Sequence, residues 1–357
     1  MKIAFVIGNL YGGGAERVAS ILANRLDADG HEVFIIVIAS DKVSYNISPN
    51  VKIIKCIKTS KVKGAGFVNR VCAIRKELKR ISPDVCISFT VGVNIYSVLS
   101  NIGLRNKLIL AERNDPRFDP PSRLGKILRK LLYLHADGFV FQTDGEKEYF
   151  SKRIQCRSVI IPNPLSPEIP EPFSGEKEKK FVAVGRLFPQ KRMDLAIDAF
   201  AEVCKEKHDY TFEIYGDGPL FNEIEEHIEA IGMKDRIILC GSHKDVYERI
   251  KKAYGFILSS DYEGISNAML EAMALGIPTI STDYPSGGAK AFIENKVNGL
   301  LVPVGSKEDL VKAIEFLINY PEEAAIISRN SIEIRENIKM DLIIGKWTDY
   351  ICKMITQ

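Results

Sequence analysis

Apolar residues recur along this chain in two alternating rhythms. Continuous runs rich in Val, Ile and Phe at 2–7, 33–38, 51–57, 84–89, 107–111, 138–142 and 157–161 predict strands. Between them apolar positions return every three or four residues, near 15–28, 66–81, 93–102, 122–135 and 144–153, which predicts helices. Strands without polar alternation are covered on both faces, so the pattern reads as a parallel sheet wrapped by helices. The rhythm stops at "IPNPLSPEIPEPFSGEKEKK" (161–180), where prolines 162, 164, 167, 170 and 172 precede a charge run and predict a linker. It then restarts. Strands 181–185, 211–216, 235–240, 255–259, 278–281 and 299–302 alternate with helices 191–206, 218–231, 244–252, 266–275 and 307–318. Helical stretches 321–337 and 341–355 close the chain. The fold class is α/β, with one doubly wound domain at 1–163, a linker at 164–179 and a second doubly wound domain at 180–340. A chain of 357 residues exceeds what one core holds, which agrees with two domains.

Charge changes the picture more than composition does. The net charge is only +3, yet residues 1–165 hold 26 bases against 14 acids and the remainder 23 against 32. A basic half facing an acidic half predicts an anionic partner for the first domain: a membrane surface, a nucleic acid or a phosphorylated acceptor. Nucleic acid fits poorly, because basic and aromatic residues are not interleaved as single-strand binders require. The seven cysteines are scattered with no CxxC spacing, which predicts reduced thiols and a cytoplasmic protein. No metal-ligand spacing is present, so neither a metal nor a cofactor is expected. No apolar stretch approaches the ~20 residues of a membrane span, and the first residues lack a signal-peptide pattern.

Candidate chemistry gathers where strands end, which is where doubly wound sheets bind ligands. "GNLYGGGAER" follows the first strand and offers a glycine turn, Gly12 to Gly14, that lets backbone approach a ligand or take positive φ. Its spacing is not GxGxxG, and no acid follows the second strand as a dinucleotide site needs. "VGRLFPQK" places Gly185, Arg186 and Lys191 after a strand, where two cations can hold a diphosphate or stand as solvated bases. "YGDGPL" makes a tight strand-to-helix turn at Gly216. "DYEGISNAMLEAMALG" carries Glu263 in a loop and Glu271 in an apolar helical setting. Each carboxylate can accept from a vicinal diol, and the helix start at Ser266 and Asn267 suits a phosphate.

Taken in order, GGGAER, GRL…QK, YGDGPL, the two glutamates and "NGLLVPVG" resemble the retaining glycosyltransferases of family 4, which have the GT-B fold of two facing Rossmann-like domains with a central cleft. "STDYPSGGAKAFI" resembles the bacterial subgroup that builds lipid-linked glycans and capsular polysaccharides. The resemblance implies an N-terminal acceptor domain, completed by a terminal helix at about 341–357, and a C-terminal nucleotide-sugar domain. Donor binding is then implied for Gly13, Gly14, Gly185, Arg186, Lys191, Gly216, Glu263, Gly264, Ile265, Ser266, Asn267 and Glu271. Of these, Arg186 and Lys191 face the diphosphate, Glu263 the sugar and Glu271 the ribose. Glu112, Arg113 and Asn114 are implied on the acceptor side, and Arg113 stands where many relatives carry a histidine. The implied reaction moves a hexose or N-acetylhexosamine from a UDP-sugar to a polyprenyl-diphosphate-linked acceptor, with retention and without a metal. Catalysis would rest on Arg186, Lys191, Glu263 and Arg113. A soluble acceptor, or a UDP-sugar epimerase of like architecture, is the alternative.

Two features bear on the membrane. Residues 52–80 hold ten bases (52, 55, 58, 61, 63, 70, 75, 76, 79 and 80) against Glu77 alone. "SRLGKILRKLLYL" sets Leu124, Ile127, Leu128, Leu131 and Leu132 on one helical face with Arg123, Lys126, Arg129 and Lys130 around them. That stripe either packs on the sheet or lies on an anionic bilayer. The second option places the protein on the inner face of the cell membrane.

Overall fold

The computed structural model describes residues 1–11, 13–40, 42–56, 65–205 and 209–356. The chain forms two compact units, Met1–Pro164 with Asp341–Gln357, and Leu165–Met340. The first runs β1 (Lys2–Ile7), α1 (Gly14–Ala28), β2 (Glu32–Val37), β3 (Lys52–Lys55), α2 (Ala65–Ile81), β4 (Val85–Phe89), α3 (Val91–Asn101), β5 (Lys107–Ala111), α4 (Arg123–Leu132), β6 (Gly138–Phe141), α5 (Asp144–Glu148), α6 (Lys152–Gln155) and β7 (Ser158–Ile160). The second runs β8 (Glu178–Val184), α7 (Met193–Cys204), β9 (Thr211–Tyr215), α8 (Phe221–Ala230), β10 (Ile237–Gly241), α9 (Val246–Ile250), β11 (Ala253–Leu258), α10 (Asn267–Ala274), β12 (Thr279–Thr282), β13 (Leu300–Val302), α11 (Lys307–Asn319), α12 (Pro321–Ser331) and α13 (Ile334–Asn337). The terminal helix α14 (Met340–Thr356) lies almost wholly in the first unit.

Each unit is one parallel sheet, ordered β3-β2-β1-β4-β5-β6-β7 and β10-β9-β8-β11-β12-β13. The order reverses between β1 and β4, and again between β8 and β11. At such reversals the crossovers diverge and leave a crevice at the strands' carboxyl ends. The inner strands are buried because both faces are covered, as Ile3 to Ile7 and Val85 to Phe89 illustrate, whereas the edge strand β3 is largely exposed.

The chain departs from the sequence reading at several points, among them the stretch 321–337, which forms α12 and α13 rather than one helix. The stretch expected as a linker is bound: Leu165 N–H donates to Ile338 O at 3.0 Å, and Arg335 reaches Glu171 and the Pro170 carbonyl, all within the second unit. The helix expected at 144–153 is two, α5 and α6. Thr143 caps the first by accepting from Glu146 N–H at 3.0 Å, and Ser151 starts the second. In α14 Ile343, Trp347, Tyr350, Ile351 and Met354 are buried, and Leu342 is exposed.

For α4 the sequence leaves two arrangements open. Ser122 caps it by accepting from Gly125 N–H at 3.0 Å. Its leucine stripe does not pack on the sheet: Leu124 is 75% exposed, and Ile127, Leu128 and Leu131 are exposed too. The buried residues of this helix are Leu132 and Arg129, the latter 1% exposed. Arg129 donates to the carbonyls of Pro116 (2.8 Å) and Asp119, and its guanidinium stacks over Tyr149 and Phe150 at 5.0 and 5.2 Å. Two of its five fixed donors find carbonyls there that leucine cannot use, and the rings take the guanidinium face, so the arginine points inward. Residues 58, 61 and 63 of the basic run lie outside the described residues. Of its other seven bases, Lys52 and Lys55 end β3 and those at 70, 75, 76, 79 and 80 are carried by α2.

Candidate functional site

In the second unit the loops after β8 and β11 meet. Gln190 Nε2 donates to Tyr262 O at 2.7 Å, and its own carbonyl accepts from Asp261 N–H at 2.9 Å. Ser259 Oγ donates to the carbonyls of Lys191 and Arg192, both at 2.8 Å. Arg192 turns the chain in the left-handed region (φ 48°) and pairs with Asp194 and Asp261. These ties bring Lys191 Nζ to 2.5 Å from Glu263 Oε1, with both side chains 12% exposed. Ser260 Oγ donates to the same oxygen at 2.9 Å.

Glycine builds the floor beneath. Gly216 has φ +142°, and a Cβ there would stand 1.9 Å from the Gly185 carbonyl. Only glycine allows these two strand-end loops to touch. At Gly185 a Cβ would press on Lys191 Cε at 3.2 Å, so the lysine chain lies across it. Gly264 is clamped from the 284–288 loop, where Ser286 Oγ donates to its carbonyl at 3.0 Å. Ile265 and Ser266 are buried, and Ser266 caps α10 by accepting from Met269 N–H. Asn267 opens that helix, and Glu271 is buried within it.

The expected donor residues thus divide. Lys191 and Glu263 form one ion pair, Gly185 and Gly216 one contact, and Gly264 to Asn267 one clamped turn. Arg186 stands exposed with its guanidinium 5.0 Å from the Phe188 ring, and does not share the ion pair. A cavity of about 1100 Å³ lies elsewhere in the unit, lined by Pro285, Lys290, Phe292 and Asn298 among others, and none of Lys191, Glu263 or Glu271 borders it. The crossover geometry and the converging polar groups favour the strand-end loops over that cavity. Ser259, Ser260, Gln190 and Ser286 were not among the expected residues. The polar pair Ser259-Ser260 directly after an apolar strand was the available signal.

In the first unit Gly13 caps α1 with φ −120°, and Gly14 is its first residue. Neither Gly13 nor Gly14 takes positive φ, and Gly12 lies outside the described residues. Tyr45 Oη donates to the Gly13 carbonyl at 2.8 Å. Glu112, Arg113 and Asn114 follow β5. Glu112 accepts from Tyr133 Oη, and Tyr133 Oη also accepts from Asn94 Nδ2 at 3.0 Å. The Arg113 guanidinium donates to Asn163 Oδ1 at 3.0 Å and lies over the Phe89 and Trp347 rings at 5.1 and 5.4 Å. Burial lowers its pKa to about 10, against the pull of Glu146 and Glu112, so it is still a cation at neutral pH. Asn114 is half-buried, its Oδ1 accepting from Asp115 N–H at 3.0 Å.

Burial pushes the Glu112 carboxyl up from 4.5 to about 7, against the pull of Arg129 and the Tyr133 hydroxyl. A carboxyl harder to ionise in the fold than in the unfolded chain takes up a proton on folding. Its contribution to stability is complete below pH 4.5 and lost as pH rises through about 7. Glu112→Gln keeps an acceptor for Tyr133 and removes the titration. Melting temperatures between pH 4.5 and 8 are expected to fall less steeply in the variant than in the wild type; equal slopes would contradict this assignment.

Comparison with known proteins places the same halves. Residues 12–169 match the model described as Glycosyltransferase Family 4, and residues 167–334 match Glycosyl transferases group 1. The chain is 30% identical over 361 residues, 99% of each chain, to the GalNAc-alpha-(1->4)-GalNAc-alpha-(1->3)-diNAcBac-PP-undecaprenol alpha-1,4-N-acetyl-D-galactosaminyltransferase of Campylobacter jejuni. A second N-acetylgalactosaminyltransferase of that organism, named for a diphospho-undecaprenol substrate, is 26% identical, with 89% of this chain and 90% of that one covered. Among solved structures, the lipopolysaccharide outer core galactosyltransferase WaaB superposes with a TM-score of 0.78 at 22% identity, covering 99% of each chain. Anabaena HepE with UDP and glucose gives 0.84 at 17% identity, covering 99% of this chain and 100% of that one. These last two likenesses speak to fold alone, and that fold is GT-B.

Proposed function

The chain belongs to the family 4, group 1 glycosyltransferases, and from that premise we propose that it moves an N-acetylhexosamine or hexose from a UDP-sugar to a saccharide on a polyprenyl diphosphate, with retention and without a metal ion. The observation that carries this reading is the Lys191–Glu263 pair at the β8/β11 crossover, beside a clamped helix start. An ammonium has three N–H donors; one points at Glu263 and two remain for diphosphate oxygens. Glu263 retains lone pairs for sugar hydroxyls, and Glu271 is assigned the ribose.

In the proposed step the acceptor oxygen bonds to the anomeric carbon on the face from which the diphosphate departs. The breaking C–O bond returns its electrons to the diphosphate, and the acceptor proton passes to a phosphate oxygen. Lys191 and Arg186 stabilise the charge that develops there, the usual source of a large rate gain. No protein nucleophile is needed. The acceptor class follows from the two relatives named for undecaprenol-linked glycans and from the basic first unit. A soluble acceptor or an epimerase is not favoured by those relatives.

Incubating the protein with UDP-N-acetylgalactosamine and an undecaprenyl-diphosphate-linked saccharide is expected to lengthen the saccharide by one α-linked unit, with EDTA making no difference. Hydrolysis or epimerisation alone would overturn the transfer. Loss in EDTA with recovery in Mn²⁺ would overturn the metal-free mechanism.

The outward stripe of α4 supports docking on an anionic bilayer at the inner face of the cell membrane. Its four exposed apolar side chains stand beside Arg123, Lys126 and Lys130. No helix among the described residues is long and apolar enough to cross a membrane. Leu124→Ser, Ile127→Ser and Leu131→Ser together are expected to abolish flotation with anionic liposomes and leave the melting temperature unchanged. Flotation equal to wild type would remove α4 from the membrane contact.

A further inference from the structure

We infer that Gln142, Asp115 and Glu146 form a recognition site for hydroxyl and acetamido groups of the acceptor's terminal sugar. This rests on the transfer reading above for the word acceptor, but the site itself rests on the first unit's geometry. Gln142 follows β6 as Arg113 follows β5. The pairing Ala111↔Val140, with Glu112 N–H donating to Val140 O at 3.0 Å, sets the two residues side by side at the carboxyl ends of neighbouring strands. Asn163, beyond β7, continues the row through its bond to Arg113. Thr90, at the end of β4, holds φ +72°, a conformation that a β-branched residue rarely adopts and that gathers at functional sites.

Gln142, Asp115 and Glu146 are each at most 2% exposed. Among the described residues, both polar atoms of the Gln142 amide, Asp115 Oδ2, Glu146 Oε1, and Arg113 Nε and Nη2 have no hydrogen-bond partner. Buried polar atoms are paired in folded proteins with few exceptions, so such a concentration requires a reason. The set is mixed. A metal ion would call for acceptors alone and a phosphate for donors alone. An amide beside two carboxyls and a guanidinium matches groups that both donate and accept, as sugar hydroxyls and an acetamido group do. Glu146 is held by the Gln142 N–H at 2.8 Å. Burial pushes its carboxyl well up, against the pull of the Gln142 backbone N–H and Arg113, and Glu112 and Asp115 add to the rise. Next to Asp115 stands Arg117, whose side chain is partly exposed and reaches Asp115 Oδ1 and Gly145 O only at 3.4 Å.

The test uses the full chain, with methyl N-acetyl-α-D-galactosaminide as the probe in saturation-transfer NMR. Gln142→Met replaces the amide with an apolar group of similar shape. If the amide were merely structural, losing its unpaired atoms would raise the melting temperature and change nothing else. Gln142→Met is expected to weaken the probe at least about five-fold, the loss of one neutral hydrogen bond, with UDP binding and melting temperature preserved or raised. Glu146→Gln, which keeps an acceptor for the Gln142 N–H, is expected to weaken the probe as well. No probe binding by wild type, or equal binding by wild type and both variants, overturns the site. Probe binding that depends on Gln142 in a protein that transfers no sugar would keep the site and overturn the transfer reading.

Discussion

Lys191→Met is expected to lower kcat for sugar transfer about 10³-fold, the scale for one preorganised charge at a developing anion. The prediction has a stability component that must be separated from it. Lys191 and Glu263 are both 12% exposed at 2.5 Å, so removing the lysine strands a nearly buried carboxylate. That costs about 3 kcal/mol where pairs are well buried, and somewhat less here because Ser260 Oγ still donates to Glu263. The double variant Lys191→Met with Glu263→Gln neutralises the stranded charge. It is expected to recover most of the lost melting temperature and none of the activity. Recovery of activity with stability would mean that the pair only holds the two loops together.

Trp347→Ala is expected to destabilise the first unit by about 4 kcal/mol, the range for emptying a buried aromatic site. Trp347 is fully buried, its ring centroid 5.8 Å from that of Phe89, and it also underlies the Arg113 guanidinium. Against a total stability of roughly 5–15 kcal/mol, this is a large fraction. Tyr350 holds the same helix by donating to Arg157 O at 2.6 Å and accepting from Phe139 N–H at 2.9 Å, so α14 should remain attached at low temperature. Calorimetry is expected to show an early transition for the first unit. UDP binding, assigned to the second unit, is expected to persist below it. An unchanged melting profile would contradict the packing described.

Where strands end and which residues follow them could be read from the apolar runs. Glu263 and Lys191 were visible as strand-end residues for that reason. Their direct contact was not, because it depends on Gln190 and Ser259 tying together loops about seventy residues apart. The α4 pattern shows the same limit. Periodicity reveals a leucine stripe, but the covered face depends on what the rest of the chain presents. Here the Asp119 and Pro116 carbonyls and the Tyr149 and Phe150 rings select Arg129 instead. Gln142 and Glu146 read as ordinary polar residues at a turn. Only the register of β5 against β6 sets Gln142 beside Arg113. The proline-rich stretch looked free because its partners, Ile338 and Arg335, lie some 165 positions away.

Transfer by this chain requires that a nucleotide sugar bind at the strand-end loops of the second unit. Calorimetric titration of UDP-N-acetylgalactosamine into wild type and Glu271→Ala tests it most directly. Saturable binding by the wild type is expected, with loss of that binding in a variant that still folds. Binding of equal strength in both, or none in the wild type with UDP-, GDP- and ADP-sugars alike, would contradict it.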